Sequence, residues 1–235
     1  MKIKMQLSER MKMIADMLKA CDVLADVGCD HAYITIDAVK SGRAKRACAM
    51  DVRQGPLDNA AANIKAEGLG GKISTVLSDG LNELPGTADE IMITGMGGGL
   101  ICSILERGRE KLEQCKRLIV SPHSDRAMVR KKIHELGFII VSESDCIEDG
   151  KYYQCIAAEH GREKYEPEIF YEYGVFLLEK RSENLIRYLR DKKEKSTVVE
   201  RDFREKNGIV AKLPPEFMKQ KSMIESALRF MGIGE

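Results

Sequence analysis

Between Val23 and His160 the chain alternates short apolar runs with stretches of helical spacing, and this alternation constrains the fold more than any other feature. The runs are Val23–Val27, Arg46–Asp51, Lys72–Leu77, Glu90–Gly95, Arg117–Ser121, Phe138–Glu143 and Tyr152–Glu159. Helix candidates lie between them at Tyr33–Gly42, Pro56–Glu67, Leu100–Glu113 and Asp125–Leu136. Pro56 near a start and Gly68 just past an end fit the usual asymmetry of helix termini. A strand joined to the next through a helix returns parallel, so the pattern predicts a seven-stranded, mostly parallel sheet of the α/β class. The link from Asp145 to Lys151, which holds Gly150, has no room for a helix. The seventh strand is therefore expected antiparallel beside the sixth, as a hairpin.

After Glu159 the texture changes. Ile169, Tyr173, Phe176, Leu177, Leu185, Ile186 and Leu189 recur at three- and four-residue steps, which predicts one long amphipathic helix. Asn207-Gly208 and Leu213-Pro214-Pro215 interrupt it, and Glu216 to about Met231 carries a second apolar stripe. Neither helix can bury its stripe alone, so an antiparallel pair is expected. The chain divides on this reading into residues 1–160 and a helical appendage, 161–235.

Composition then excludes several classes. With 43% hydrophobic residues in 235 the chain is too apolar for a disordered segment. Seven cysteines form no Cys-x-x-Cys pair and four histidines are scattered, so neither a disulfide scaffold nor a metal centre is expected. Met1–Met13 holds basic residues without an apolar core, unlike a signal peptide, and Ile91–Leu105 is too short and glycine-rich to span a bilayer. A soluble cytoplasmic protein is the expectation, with its oligomeric state open and a monomer compatible. Lys180–Lys212 carries 11 basic and 6 acidic residues, a local excess suited either to phosphate contact or to a solvated helix face.

The chemistry concentrates where the first strand runs into Val27-Gly28-Cys29-Asp30-His31-Ala32-Tyr33. A dinucleotide site wants three glycines there, so that the backbone can approach a pyrophosphate. Only Gly28 is present; Asp30 and Ala32 stand at the other two places. S-Adenosylmethionine fits better, because its amino-acid end pairs a carboxylate for helix-start amides with an ammonium for an Asp. Asp51, ending the second strand, suits a ribose diol, and Asp79 in Ser78-Asp79-Gly80 suits the adenine amino group. An Asp ending one strand is often only a turn or cap residue, but three on successive strands lie along the ligand-binding edge of such a sheet. Gly95-Met96-Gly97-Gly98-Gly99 after the fourth strand lets a planar substrate come close to the backbone. The candidate donor-binding set is Asp26, Gly28, Cys29, Asp30, His31, Asp51, Val52, Ser78, Asp79, Gly80 and Gly95.

Leu7-Ser8-Glu9-Arg10-Met11, Ala25-Asp26-Val27-Gly28-Cys29-Asp30-His31-Ala32-Tyr33, Gly55-Pro56, Ser78-Asp79-Gly80-Leu81, Thr94-Gly95-Met96-Gly97-Gly98 and Tyr173-Gly174 together resemble the bacterial tRNA (adenine-22-N1)-methyltransferases. The resemblance implies a Rossmann-like class I methyltransferase domain with strand order 3-2-1-4-5-7-6, followed by a helical coiled-coil domain that helps hold tRNA. It implies S-adenosylmethionine as donor. Two departures from the family's pattern stand out: Gly99 where an Arg is usual, and Ser121-Pro122-His123 where Gln-Pro-Asn is usual.

Methylation of adenine N1 needs placement more than a strong base, since that nitrogen is unprotonated at neutral pH. Gly95, Met96 and His123 are the candidate catalytic residues, although His123 can equally cap the helix beginning near Asp125. Candidate tRNA contacts are Arg10, Arg130, Lys131, Lys132, Arg181, Arg187, Arg190, Lys192, Lys193 and Lys195. The sequence leaves two alternatives open: a methyltransferase for another acceptor, and a catalytically impaired RNA-binding relative.

Overall fold

The computed structural model describes residues 6–208 and 211–234, and the segment Met1–Met13 discussed above therefore lies partly outside the described residues. The chain forms two compact units, one ending at Lys164 and the other beginning at Tyr165, four residues beyond the expected boundary.

In the first unit α1 (Glu9–Asp16) precedes β1 (Cys21–Val27), α2 (Tyr33–Lys40), β2 (Ala44–Asp51), α3 (Gln54–Ala66), β3 (Ile73–Leu77) and β4 (Glu90–Met96). Then come α4 (Gly98–Arg107), α5 (Arg109–Leu112), β5 (Arg117–Pro122), α6 (Arg126–Glu135), β6 (Phe138–Glu148) and β7 (Lys151–His160). The sheet order is β3-β2-β1-β4-β5-β7-β6, parallel except for β7, which runs antiparallel to both its neighbours. Leu24, Ala25, Met92, Ile93, Ile119 and Val120 are fully sequestered on the central strands. Strands covered on both faces must be apolar on both, which is why they read as runs rather than alternations. The order reverses between β1 and β4, so their carboxyl ends part and leave a crevice.

Three expectations are corrected in detail. Leu100–Glu113 is two helices, because the chain turns at Gly108, where a Cβ would come within 2.5 Å of the Leu81 Cδ1 and 3.0 Å of the Ile104 carbonyl. The β6–β7 link is a two-residue turn, Asp149-Gly150, with φ of 49° and 71°, so both strands are longer than their apolar runs. The single long helix after Glu159 is three, α7 (Ile169–Tyr173), α8 (Val175–Glu179) and α9 (Glu183–Asn207). Positive φ at Gly174 (93°) and Arg181 (52°) breaks the run, and the Ser182 hydroxyl caps α9 by accepting from the Leu185 amide.

The second unit closes with α10 (Pro215–Phe230), which runs back along α9. Lys221 donates to Glu200 at 2.6 Å near the turn, while Ile233, beyond α10, lies with Ile186 and Arg190 near the start of α9. Leu185, Leu189, Ile224, Ala227 and Leu228 are buried, whereas Val198 and Val199 on the outer half of α9 are exposed. No helix among the described residues is long and apolar enough to cross a membrane, and among them no cluster of His, Cys, Asp or Glu is arranged to hold a metal.

Candidate active site

The carboxyl ends of β1, β2 and β4, the segment after β3 and residues of α1 enclose a cleft of about 710 Å³. Lining it are Asp26, Gly28, Cys29, Asp30 and His31; Asp51 and Val52; Ser78, Asp79 and Gly80; Gly95 and Met96; and His123. The whole candidate donor-binding set and the three candidate catalytic residues thus meet in one place, although they span nearly a hundred positions of sequence.

The β1 loop is built tightly. Gly28 has φ +80°, and a Cβ on it would stand 2.6 Å from Met96 Cε and 3.3 Å from the Thr94 carbonyl oxygen. The amides of Gly28 and Cys29 both donate to the Met50 carbonyl, at 2.8 and 3.0 Å, so they are not the ones that meet a ligand. Asp30 and Ala32 take left-handed φ of 50° and 58°, and Ala32, at the cap position before α2, gives the helix no side-chain cap. Amides of the first turn of α2 are then left for an anion.

Asp26 is 3% exposed and accepts a hydrogen bond from the Thr35 hydroxyl. Burial pushes its carboxyl up to about 7 against the lowering effect of that bond, with the neighbouring Asp51 carboxylate adding to the rise. Asp51 is buried at the end of β2 and accepts from the Arg53 amide at 2.9 Å, while its own carbonyl receives the Ser78 amide at 2.9 Å. Ser78 then ties its turn by donating to the Gly80 carbonyl at 2.9 Å and accepting from the Glu83 amide at 3.1 Å. Asp79 is exposed and paired with Arg107 of α4, which holds its carboxyl below the usual carboxylate range.

On the β4 side the pairing with β5 shifts register between Thr94 and Met96, and Gly95 takes φ +78°. A Cβ on Gly98 would meet the Ser124 carbonyl at 2.5 Å, so glycine there lets α4 start against the loop after β5. A Cβ on Gly99 would meet nothing within 4 Å; the missing arginine is not enforced by crowding. The His123 amide donates to the Met96 carbonyl at 3.0 Å.

Other lining residues escaped the sequence reading: Met11 and Ile14 of α1, and Leu100 and Ile104 of α4. Arg107 and Thr35 escaped it too, because only folding brings them to Asp79 and Asp26.

Among the expected tRNA contacts, Arg130 is corrected. It is fully buried, donating to Glu143 and to Gln154 at 2.7 Å, and cannot reach a phosphate. Lys132 is ion-paired with Glu106 and Glu135, and Arg10 is drawn to Glu148 and His123 within the cleft wall. Lys131 is exposed on α6. In the second unit Arg181, Arg187, Arg190 and Lys195 are exposed and Lys192 and Lys193 half-buried; Lys195 bonds Asp191 and Lys192 lies over the Tyr188 ring.

A sheet of this order, with acidic strand ends around one crevice at its switch point, defines a Rossmann-like class I methyltransferase. The family described as "Methyltransferase domain" matches residues 7–156. The tRNA (adenine(22)-N(1))-methyltransferase of Bacillus subtilis (strain 168) is 36% identical over 159 residues, 67% of each chain. The structure of Streptococcus pneumoniae Sp1610 in complex with S-adenosyl-L-methionine superposes with a TM-score of 0.84 at 32% identity, covering 95% of this chain and 100% of that one. M. capricolum TrmK in complex with S-adenosyl-homocysteine gives a TM-score of 0.79 at 25% identity, covering 97% and 98%. The chain belongs to the tRNA (adenine(22)-N(1))-methyltransferase family.

Proposed function

We propose that this protein transfers a methyl group from S-adenosylmethionine to N1 of adenine 22 in tRNA. The observation that carries this reading is the convergence of Asp26, Gly28, Asp51, Asp79 and Gly95 on one cleft, in a chain of this family.

The residues present fit the donor. Amides of the uncapped first turn of α2 suit its carboxylate, and the Asp26 and Asp30 carboxylates suit its ammonium. Asp51 accepts the ribose hydroxyls, and Asp79 accepts the adenine amino group, with Val52 and Ile104 offering apolar surface to the ring. When bound, S-adenosylmethionine supplies an electrophilic sulfonium methyl. The purine N1 lone pair bonds to the methyl carbon as the carbon–sulfur bond breaks, positive charge passes to the purine, and no proton has to leave. Placement is the protein's contribution, and holding two reactants in line is worth roughly 7–11 kcal/mol in well-oriented systems. Gly95, where a Cβ would meet nothing within 4 Å, leaves room for the ring beside the cleft, with Met96 and His123 at its wall.

Arg181, Arg187, Arg190, Lys192, Lys193 and Lys195 of the helical unit are assigned to tRNA phosphates, supported by the basic excess of Lys180–Lys212. The cytoplasm, where tRNA is used, is the proposed compartment. The test is incubation of purified protein with methyl-labelled donor and unmodified tRNA, followed by mapping of the modified base. Label at N1 of adenine 22 is expected. Label at another nucleotide, in another acceptor, or nowhere overturns the reading.

A further inference from the structure

His123 is fixed at both its ends. Its main-chain N–H holds the Met96 carbonyl, and its ring meets Arg10, whose Nη1 stands 3.0 Å from His123 Nε2. Arg10 is itself clamped. Its amide donates to Glu148 Oε1 at 3.0 Å, its Nε lies 4.0 Å from Glu148 Oε2, and its guanidinium sits over the Tyr153 ring at 5.0 Å. Tyr153 also stands edge-on to His123, with ring centroids 5.8 Å apart.

A guanidinium has five donors and no acceptor, and it keeps its proton in proteins. The Arg10 contact therefore requires a lone pair on His123 Nε2. The ring is neutral with its proton on Nδ1, the tautomer that free histidine disfavours. We propose that Arg10 is a positioning residue that locks His123 in the neutral Nδ1–H tautomer, so that His123 offers the target adenine one fixed hydrogen-bond donor. A donor directed to purine N3 or N7 orients the base and leaves the N1 lone pair clear for attack. This rests on the methyl-transfer reading above.

The charges around the ring agree. Partial burial first, and then the positive charges of Arg10 of α1, Arg126 of α6 and Lys151 of β7, hold its pKa below the ordinary histidine value. Glu148 of β6 is engaged with Arg10, and Tyr153 of β7 contributes a ring face. Protonating His123 would remove the acceptor and set two cations in contact.

Asparagine at 123 supplies an amide donor that has no tautomer, so it should make Arg10 dispensable. The experiment combines spectra and a double-mutant cycle. In protein labelled at its histidine ring nitrogens, long-range proton–nitrogen correlation should show His123 with Nδ1 protonated and Nε2 bare, the signal being assigned by its loss in His123→Asn. Arg10→Ala should switch that ring to the Nε2–H form and lower kcat about tenfold at saturating donor, with KM for tRNA changing less than about twofold. In the His123→Asn background, Arg10→Ala should change kcat less than about twofold. An Nε2–H ring in the unmodified protein, or an equal cost of Arg10→Ala in both backgrounds, overturns the proposal. Should Arg10→Ala not fold, the spectrum of the unmodified protein decides alone. Failure of the unmodified enzyme to methylate tRNA would instead remove the functional reading, with the tautomer still read from the spectrum.

Discussion

Arg107, the last residue of α4, grips Asp79 with two parallel hydrogen bonds, Nη1 to Oδ2 at 2.5 Å and Nη2 to Oδ1 at 3.0 Å. Such a fork fixes the plane of the carboxylate and keeps it ionised, which is what an acceptor for an adenine amino group requires. Arg107→Ala is expected to weaken S-adenosylhomocysteine binding about three- to tenfold, with little change in melting temperature because the pair is exposed. Titration calorimetry with the product measures it. Unchanged affinity would show that Asp79 does not bear on the adenine.

Asp26 makes stability depend on pH in the opposite sense to a salt-bridged carboxylate. Its carboxyl ordinarily titrates near 3.8 and in the folded protein near 7, so between those values the folded chain binds more protons than the unfolded one. Its contribution favours folding below about pH 4 and is lost as the pH rises through 7. Asp26→Asn keeps an acceptor for Thr35 and cannot ionise. Relative to the unmodified protein it should gain on the order of 2–4 kcal/mol between pH 4 and 8, read from denaturant melts across that range. Glu90, also raised to about 7 by burial, is common to both proteins and cancels in the difference. A pH-independent difference would place Asp26 in the ordinary range.

Gly28→Ala separates strain from binding. The new Cβ meets the flexible end of Met96, which can move, and stands close against the Thr94 carbonyl oxygen at 3.3 Å, while the positive φ remains and costs about 1 kcal/mol. The protein should therefore fold with a slightly lower melting temperature. Its affinity for S-adenosylhomocysteine should fall at least about tenfold, because displacing Met96 reshapes the wall of the proposed donor cleft. Equilibrium dialysis checks this, and full affinity would count against the placement of the donor.

Basic residues should divide by burial. Arg130→Ala strands the Glu143 carboxylate in the interior and should destabilise the protein by roughly 3–5 kcal/mol without altering the salt dependence of tRNA binding. Arg187→Ala and Arg190→Ala should do the reverse, leaving the melt alone and each reducing the slope of log affinity against log salt by about 1. Filter binding at several salt concentrations tests both halves.

How much of this could be read beforehand follows from the range over which each feature is encoded. The strands and the acids ending β1 and β2 are local patterns, an apolar run meeting a carboxylate, and they stand out in the sequence as they do in the fold. So does the β6–β7 hairpin. Arg130 reads as a phosphate contact because basic residues on an amphipathic helix look alike until the sheet decides which one faces inward; Glu143 and Gln154 lie 13 and 24 residues away. The break at Gly108 depends on Leu81, which no window around residue 108 contains. Arg10, expected among the tRNA contacts, lines the cleft because α1 folds back beside β6, a neighbourhood that no local pattern encodes.

α4 begins at Gly98, packed against the loop that carries His123, and ends at Arg107 on Asp79. Ten residues of helix make a strut of about 15 Å that does not compress. The two ends of the reaction chamber consequently share a ruler. A change of side chain on this helix, at Ile104, will shift the apparent affinities for both reactants together, and kinetic mutants along it will not sort into one set for the nucleoside and another for the RNA.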